Sequence, residues 1–155
     1  LETSMRLAEY TDYTLRVLMY CAARPRQLVT IGELAEHHAL SKNHLMKIVN
    51  DLARQGVIAT TRGRGGGLRL LKDPADIRVG DVVRASETDF RMVECFDSST
   101  NACTLSPTCR LKHVLGAAMQ AYFRELDAAT LADISSPLTN TVLDKGTSVL
   151  RRATR

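Results

Sequence analysis

Three of the chain's four cysteines fall within fifteen residues, as Cys95-x7-Cys103-x5-Cys109. The stretch between them, Asp97 to Asn101, is a run of Asp, Ser, Thr and Asn, the composition of a loop. Thiolates are soft ligands. Three of them this close, in a chain with no sign of export, point to a metal or iron–sulfur site more than to disulfides. The residue types alone leave two other chemistries open, a structural zinc and a thiol–disulfide redox switch. A visible chromophore separates the first from an iron–sulfur cluster, because zinc proteins are colourless. No Ser/His/Asp constellation and no carboxylate pair at catalytic spacing accompanies the thiols, so the sequence does not read as an enzyme. An iron–sulfur electron-transfer protein remains conceivable, but it leaves the first half of the chain unexplained.

That first half is basic. Residues 1–72 carry 11 Lys/Arg against 6 Asp/Glu, a net of +5, whereas residues 73–155 carry 10 against 11, a net of −1. The excess positive charge lies where a polyanion would bind. With 155 residues, 45% hydrophobic and 25% charged, the chain has the size of one domain plus a dimerisation element. It has no apolar run of the roughly 20 residues that a membrane span requires. The N-terminus lacks the basic and apolar regions of a signal peptide, and Met5 is the expected first residue, with residues 1–4 expected to be a remnant. The expected location is the cytoplasm.

The local signals predict mostly α structure. A helix from Tyr10 to Ala23, capped by Thr11 or Asp12, ends before Pro25 and carries Cys21 on its apolar side as a core thiol. Thr30-x-x-Glu33 is a capping box for a short helix, Ile31 to His38. After a turn at Ala39-Leu40, Ser41 caps a second helix, Lys42 to Gln55, that Gly56 closes. Its inner face is Leu45, Ile48, Val49 and Leu52. Two helices joined by a tight turn form a helix-turn-helix. The outward residues Ser41, Lys42, Asn43, His44 and Lys47 are donors and cations of the kind that reach base edges and phosphates.

Strands at 57–61 and 68–71 flank Arg62-Gly63-Arg64-Gly65-Gly66-Gly67. Glycines there permit positive φ and close approach, and arginines suit a narrow, electronegative minor groove. Arg62, Arg64, Gly65 and Gly66 are therefore the DNA-binding tip of a wing. A nucleotide phosphate loop would need a helix after the glycines, and a strand follows. A turn at 73–76 leads to a helix from Arg78 to Ser86, then an extended stretch from Asp89 to Glu94. Beyond Cys109, Leu111, Leu115, Ala118 and Tyr122 step by four, three and four, widened by Val114, Met119 and Phe123. That seam predicts a helix from about Pro107 to Leu126, roughly 30 Å long, that serves as a dimer interface. Thr130-x-x-Asp133 caps a last short helix, and a basic tail follows. His37, His38, His44 and His113 read as surface or DNA-facing residues.

The chain resembles the Rrf-type winged-helix regulators that carry iron–sulfur clusters, and most closely their nitric-oxide-sensing branch. The resemblance runs from Met5 to about Ile134. It rests on Met5-Arg6-Leu7 with Tyr10-Thr11-Asp12-Tyr13, on residues 41–50, on Arg62-Gly63-Arg64-Gly65-Gly66-Gly67-Leu68, and on Cys109-Arg110-Leu111-Lys112 with Leu126-Asp127 and Thr130-Leu131-Ala132-Asp133. It implies a homodimeric repressor of double-stranded operator DNA, with nitric oxide as the signal. The cluster would be held by Cys95, Cys103 and Cys109, with Asp12 of the other subunit completing the set; 4Fe–4S is favoured and 2Fe–2S is the alternative. Asp12 as a plain helix cap is the competing reading. The branch that regulates cluster biogenesis has a histidine where Lys112 stands, which argues against that branch, and the gap from Cys95 to Cys103 is longer than the family's usual loop. The expected organisation is a winged helix-turn-helix over 5–88, a cysteine loop over 89–110, a dimerisation helix with a short C-terminal helix over 107–134, and a tail over 135–155.

Overall fold

A computed structural model describes residues 6–105 and 108–135. The expectations placed on Met5, on Pro107 and on the tail from residue 136 lie outside them. The central element is helix α1, Glu9–Ala22, whose Val17 and Leu18 are fully enclosed. Around it pack α2 (Ile31–His38), α3 (Lys42–Arg54), a hairpin of β1 (Ile58–Thr61) and β2 (Gly67–Leu70), α4 (Val79–Ser86) and α6 (Leu131–Ser135). One core forms, from Val17, Leu18, Leu34, Leu45, Ile48, Ile58, Leu68 and Leu131, among others. Each such side chain withdrawn from water contributes about 1.5–3 kcal/mol, which is what holds these short helices in shape.

The local signals act where the sequence places them. Thr30 Oγ1 accepts the Glu33 N–H at 3.1 Å and Ser41 Oγ accepts the His44 N–H at 3.2 Å. Ala39 takes a left-handed conformation to make the turn between α2 and α3, and Gly56, at φ 70°, follows the end of α3. The strands pair antiparallel, Ile58 opposite Leu70 and Thr61 opposite Gly67, and Val29 pairs with Leu68 on the other edge of β2. Helix-turn-helix plus hairpin is a winged helix, as the sequence predicts.

The first cap is a correction. Helix α1 begins at Glu9, after Ala8, so neither Thr11 nor Asp12 caps it. Thr11 is fully buried and donates its hydroxyl to Glu87 Oε2 at 3.0 Å, and the Ala8 N–H donates to the same oxygen at 3.0 Å. A carboxylate from 76 residues downstream thus satisfies the helix start. Asp12 is one turn inside, paired with Arg16 at 2.6 Å.

After α4 the chain runs through a loop that includes a 3-10 turn, Glu94–Phe96, and then enters α5, Arg110–Ala128. Thr130 and Asp133 cap α6 reciprocally, the Thr130 N–H donating to Asp133 Oδ2 at 2.8 Å and the Asp133 N–H to Thr130 Oγ1 at 3.3 Å. The Leu131 N–H returns to the Ile77 carbonyl at 2.7 Å, which closes the end of α5 onto the winged helix.

Candidate nucleic-acid interface and cysteine loop

In α3 the apolar residues Leu45, Ile48, Val49 and Leu52 are all buried. That fixes the helix's rotation and leaves Ser41, Lys42, Asn43, His44 and Lys47 in solvent, as the sequence predicts. Met46, 49% exposed, and Asn50 share this exposure, and sequence reasoning did not select them. The signal was available: both fall between the buried positions of a helix whose inner face was already identified. An exposed Met offers apolar contact of the kind that a thymine methyl accepts.

The face is braced from behind by α1. The Tyr10 hydroxyl donates to the Asp51 carboxylate on α3, Lys47 Nζ lies 5.4 Å from the centre of the Tyr10 ring, and the Tyr13 and His44 rings are 6.4 Å apart. Burial and the bond to Asp51 push the Tyr10 phenol up to about 12, so it stays a donor at physiological pH. No acidic residue occupies the first turn of α3, so its N-terminal partial charge faces solvent unopposed. At the wing, Arg62 and Arg64 are exposed, Gly63 and Gly65 take φ of 94° and 75°, and the Gly66 N–H closes the turn onto the Gly63 carbonyl at 3.0 Å. Of the four histidines, His38 departs from the expected surface role. Its Nε2 is buried without a partner among the described residues, and burial lowers its pKa.

The cysteines behave as two classes. Cys21 is buried in the core, and burial pushes its thiol up to about 12. Cys95 sits in the 3-10 turn at 9% exposure, and Cys103 and Cys109 are half-buried further along the loop. All four are free thiols. The loop is tied by its own polar side chains: Glu94 Oε1 accepts the Ala102 N–H at 2.6 Å, Asp97 accepts the Ser99 N–H at 2.9 Å, and Arg91 bridges Asp89 and Asp97 at 3.0 Å each. Cys109 immediately precedes α5 and makes no side-chain capping bond there. Within the single chain, no three of the His, Cys, Asp and Glu side chains among the described residues are gathered to hold a metal. The predicted set is therefore placed on one loop, with Asp12 apart on α1, and is not assembled.

Helix α5 buries none of its residues; Leu111 and Val114 are 59% and 63% exposed. The helix packs against α4 and its Phe123 ring lies 4.9 Å from that of Phe90, while the stripe at Leu111 and Val114 is uncovered within this chain. No helix among the described residues is long and apolar enough to cross a membrane.

Comparison with known proteins agrees with this geometry. Residues 7–137 match the Rrf2 family, described as an iron-dependent transcriptional regulator. The chain is 53% identical over 131 residues to the HTH-type transcriptional regulator NsrR of Bacillus subtilis, covering 84% of this chain and 90% of the relative. It is 47% identical to the regulator of the same name from Geobacillus kaustophilus, covering 84% and 89%. Among solved structures, CymR, the global cysteine regulator of B. subtilis, superposes with a TM-score of 0.71 at 24% identity, covering 88% of this chain and all of that one. IscR of T. potens superposes at 0.68 and 23%, covering 84% and 86%. At those identities the two structures speak for the winged-helix fold alone.

Proposed function

This chain belongs to the Rrf2 family of transcriptional regulators, which are not enzymes, and we propose that it is a homodimeric repressor that binds operator DNA and releases it in response to nitric oxide. The observation that carries the proposal is the pairing of two features on one chain. One is an exposed face of donors and cations on α3 beside an arginine-tipped wing; the other is a three-thiol loop between α4 and α5. The relatives that share the chain nearly end to end are named NsrR, and nitric oxide as the signal follows from the resemblance to that branch.

The donor set fits an iron–sulfur cluster in kind: three free, uncrosslinked thiols with Cys103 and Cys109 accessible, and Cys109 at a helix start where backbone N–H groups favour an anion. Cys95, Cys103 and Cys109 would hold it, with the partner subunit's Asp12 as the oxygen ligand. A cluster so held, 4Fe–4S in preference to 2Fe–2S, supplies irons that nitric oxide can attack. What the chain's own residues do is simpler. Ser41, Lys42, Asn43, His44 and Lys47 enter the major groove, while Arg62 and Arg64 follow the adjacent minor groove on a tip that Gly65 and Gly66 keep tight. The uncovered face of α5 joins two subunits, so that two copies of α3 meet major grooves about one helical turn apart.

The test is an absorption spectrum of protein purified without oxygen, before and after nitric oxide is added, with binding to DNA fragments selected by the protein followed in parallel. A brown protein that bleaches and releases DNA supports the proposal. A colourless protein whose DNA binding is indifferent to Cys→Ala changes at 95, 103 and 109 refutes the sensor reading and leaves a plain winged-helix regulator. A colourless protein that carries zinc instead would make the loop structural.

A further inference from the structure

Where α4 meets the far end of α5, a two-bond ion pair joins the two helices. Arg84 presents both guanidinium nitrogens to Asp127, Nη1 to Oδ1 at 2.6 Å and Nη2 to Oδ2 at 2.7 Å. The same guanidinium lies 4.3 Å over the Phe123 ring, and Arg78 Nη1 donates to the Asp127 carbonyl at 2.7 Å. Beneath the carboxylate is Gly80. A Cβ there would stand 1.9 Å from Asp127 Oδ1, so only glycine leaves room for the carboxylate to lie where it does. Asp127 is thus held by side chain, by backbone and by the absence of a methyl group.

This arrangement stabilises the fold little. Arg84 and Asp127 are 41% and 40% exposed, and ion pairs in that environment are weak. What a two-bond fork does fix is orientation. We infer that Arg84, Asp127 and Gly80 form a joint that sets the tilt of α5 on the DNA-binding domain, and through it the half-site spacing that the dimer accepts. The inference rests on the dimeric operator-binding reading above. The lever arm is long: α5 has 19 residues, about 28 Å at 1.5 Å per residue. The uncovered residues Leu111 and Val114 lie at its opposite end from Asp127. A tilt of about 7° at the joint moves that end by about 3.4 Å, the rise of one base pair. Spacing discrimination at the level of single base pairs therefore needs a joint stiff to a few degrees. A lone monodentate contact does not supply that, and a fork seated on an aromatic ring does.

The experiment compares full-length wild type with Gly80→Ala, Arg84→Lys and Asp127→Asn. The probes are the inverted repeat that the wild type selects from a randomised duplex pool, the same repeat with its spacer one base pair longer or shorter, and one isolated half-site. The wild type is expected to prefer the selected spacing by tenfold or more. In the variants that ratio falls to about threefold or less, while half-site affinity and dimer mass are unchanged. Gly80→Ala is the cleanest wedge, because alanine favours the α4 helix while displacing the carboxylate. Should it fail to fold, Asp127→Asn decides alone. A wild-type ratio retained in the variants overturns the joint, and so does parallel loss of half-site binding in all three, which would make the pair merely structural. A wild type that shows no paired half-site binding at all overturns the dimer reading instead.

Discussion

A methyl group at position 66 gives the sharpest measure of what the wing does. Its Cβ would lie 2.2 Å from the Thr61 carbonyl oxygen and 2.9 Å from that of Gly63, both backbone atoms. The shortest contact that a real Cβ tolerates is 3.0 Å, so the tip must open by at least 0.8 Å, the difference between 3.0 and 2.2. That movement falls on the segment carrying Arg62 and Arg64, while the buried anchors Ile58 and Leu68 lie beyond it and keep the hairpin in the core. Each phosphate contact contributes about 0.9 to the slope of log K against log salt, so losing both arginines lowers the slope by about 1.8. Referred to 1 M salt, that is about 60-fold in affinity at 0.1 M, or about 2.5 kcal/mol. Gly66→Ala should therefore match Arg62→Ala/Arg64→Ala in fluorescence-anisotropy titrations from about 0.05 to 0.3 M salt, with a circular-dichroism melt close to wild type. Gly65→Asn is the contrast. Nothing stands within 4 Å of a Cβ there, and asparagine tolerates its φ of 75° better than other side chains do. It should weaken binding less than Gly66→Ala does, because only backbone strain and no backbone clash opposes it. If Gly66→Ala weakens binding with no change in slope, the arginines at the tip are not the contacts, and the wing assignment is wrong.

Three further outcomes follow from the same structure. Leu18→Ala, at a fully buried site in the central helix, should cost about 2–5 kcal/mol in urea unfolding; a cost below about 1 kcal/mol would mean that α1 is not the hub of the core. In cluster-free protein at pH 8, iodoacetamide should label Cys103 and Cys109 and spare Cys21, whose thiol, raised to about 12, stays protonated until the chain unfolds. Because that pKa is raised on folding, its contribution to stability is present below pH 9 and is lost as pH climbs toward 12, so alkaline unfolding and Cys21 labelling should coincide. Finally, Leu111→Glu with Val114→Glu places two charges on the uncovered face of α5 and should yield a monomer by light scattering with a native far-ultraviolet spectrum; a dimer of unchanged mass would move the interface elsewhere.

What the sequence reveals and what it hides separate along one physical line, the sequence distance over which a residue finds its partner. Ser41 meets the His44 N–H three residues on, Thr30 meets Glu33, and Gly56 ends α3 by its own φ, so the helix-turn-helix is legible from spacing alone. The wing is legible for the same reason: a turn is local and glycines announce it. The start of α1 misled because its cap is not local. Ala8 and Thr11 are satisfied by Glu87, and a search confined to neighbouring residues settles on Thr11 or Asp12 instead. Arg84 and Asp127 are 43 residues apart, and neither position looks unusual in the sequence. The cysteine loop lies between these cases. The number and spacing of its thiols are written in the chain, and so is the chemistry they suit. Where the three sulfur atoms stand relative to one another is set neither by a helical period nor by a strand's alternation, because residues 97–105 adopt neither. A loop held by Asp97, Glu94 and Arg91 through short polar contacts takes its final shape from whatever else binds it. Here, by the reading proposed above, that includes a second subunit and a cluster. The site is then legible in its ingredients and not in its geometry, because its geometry is not a property of one chain.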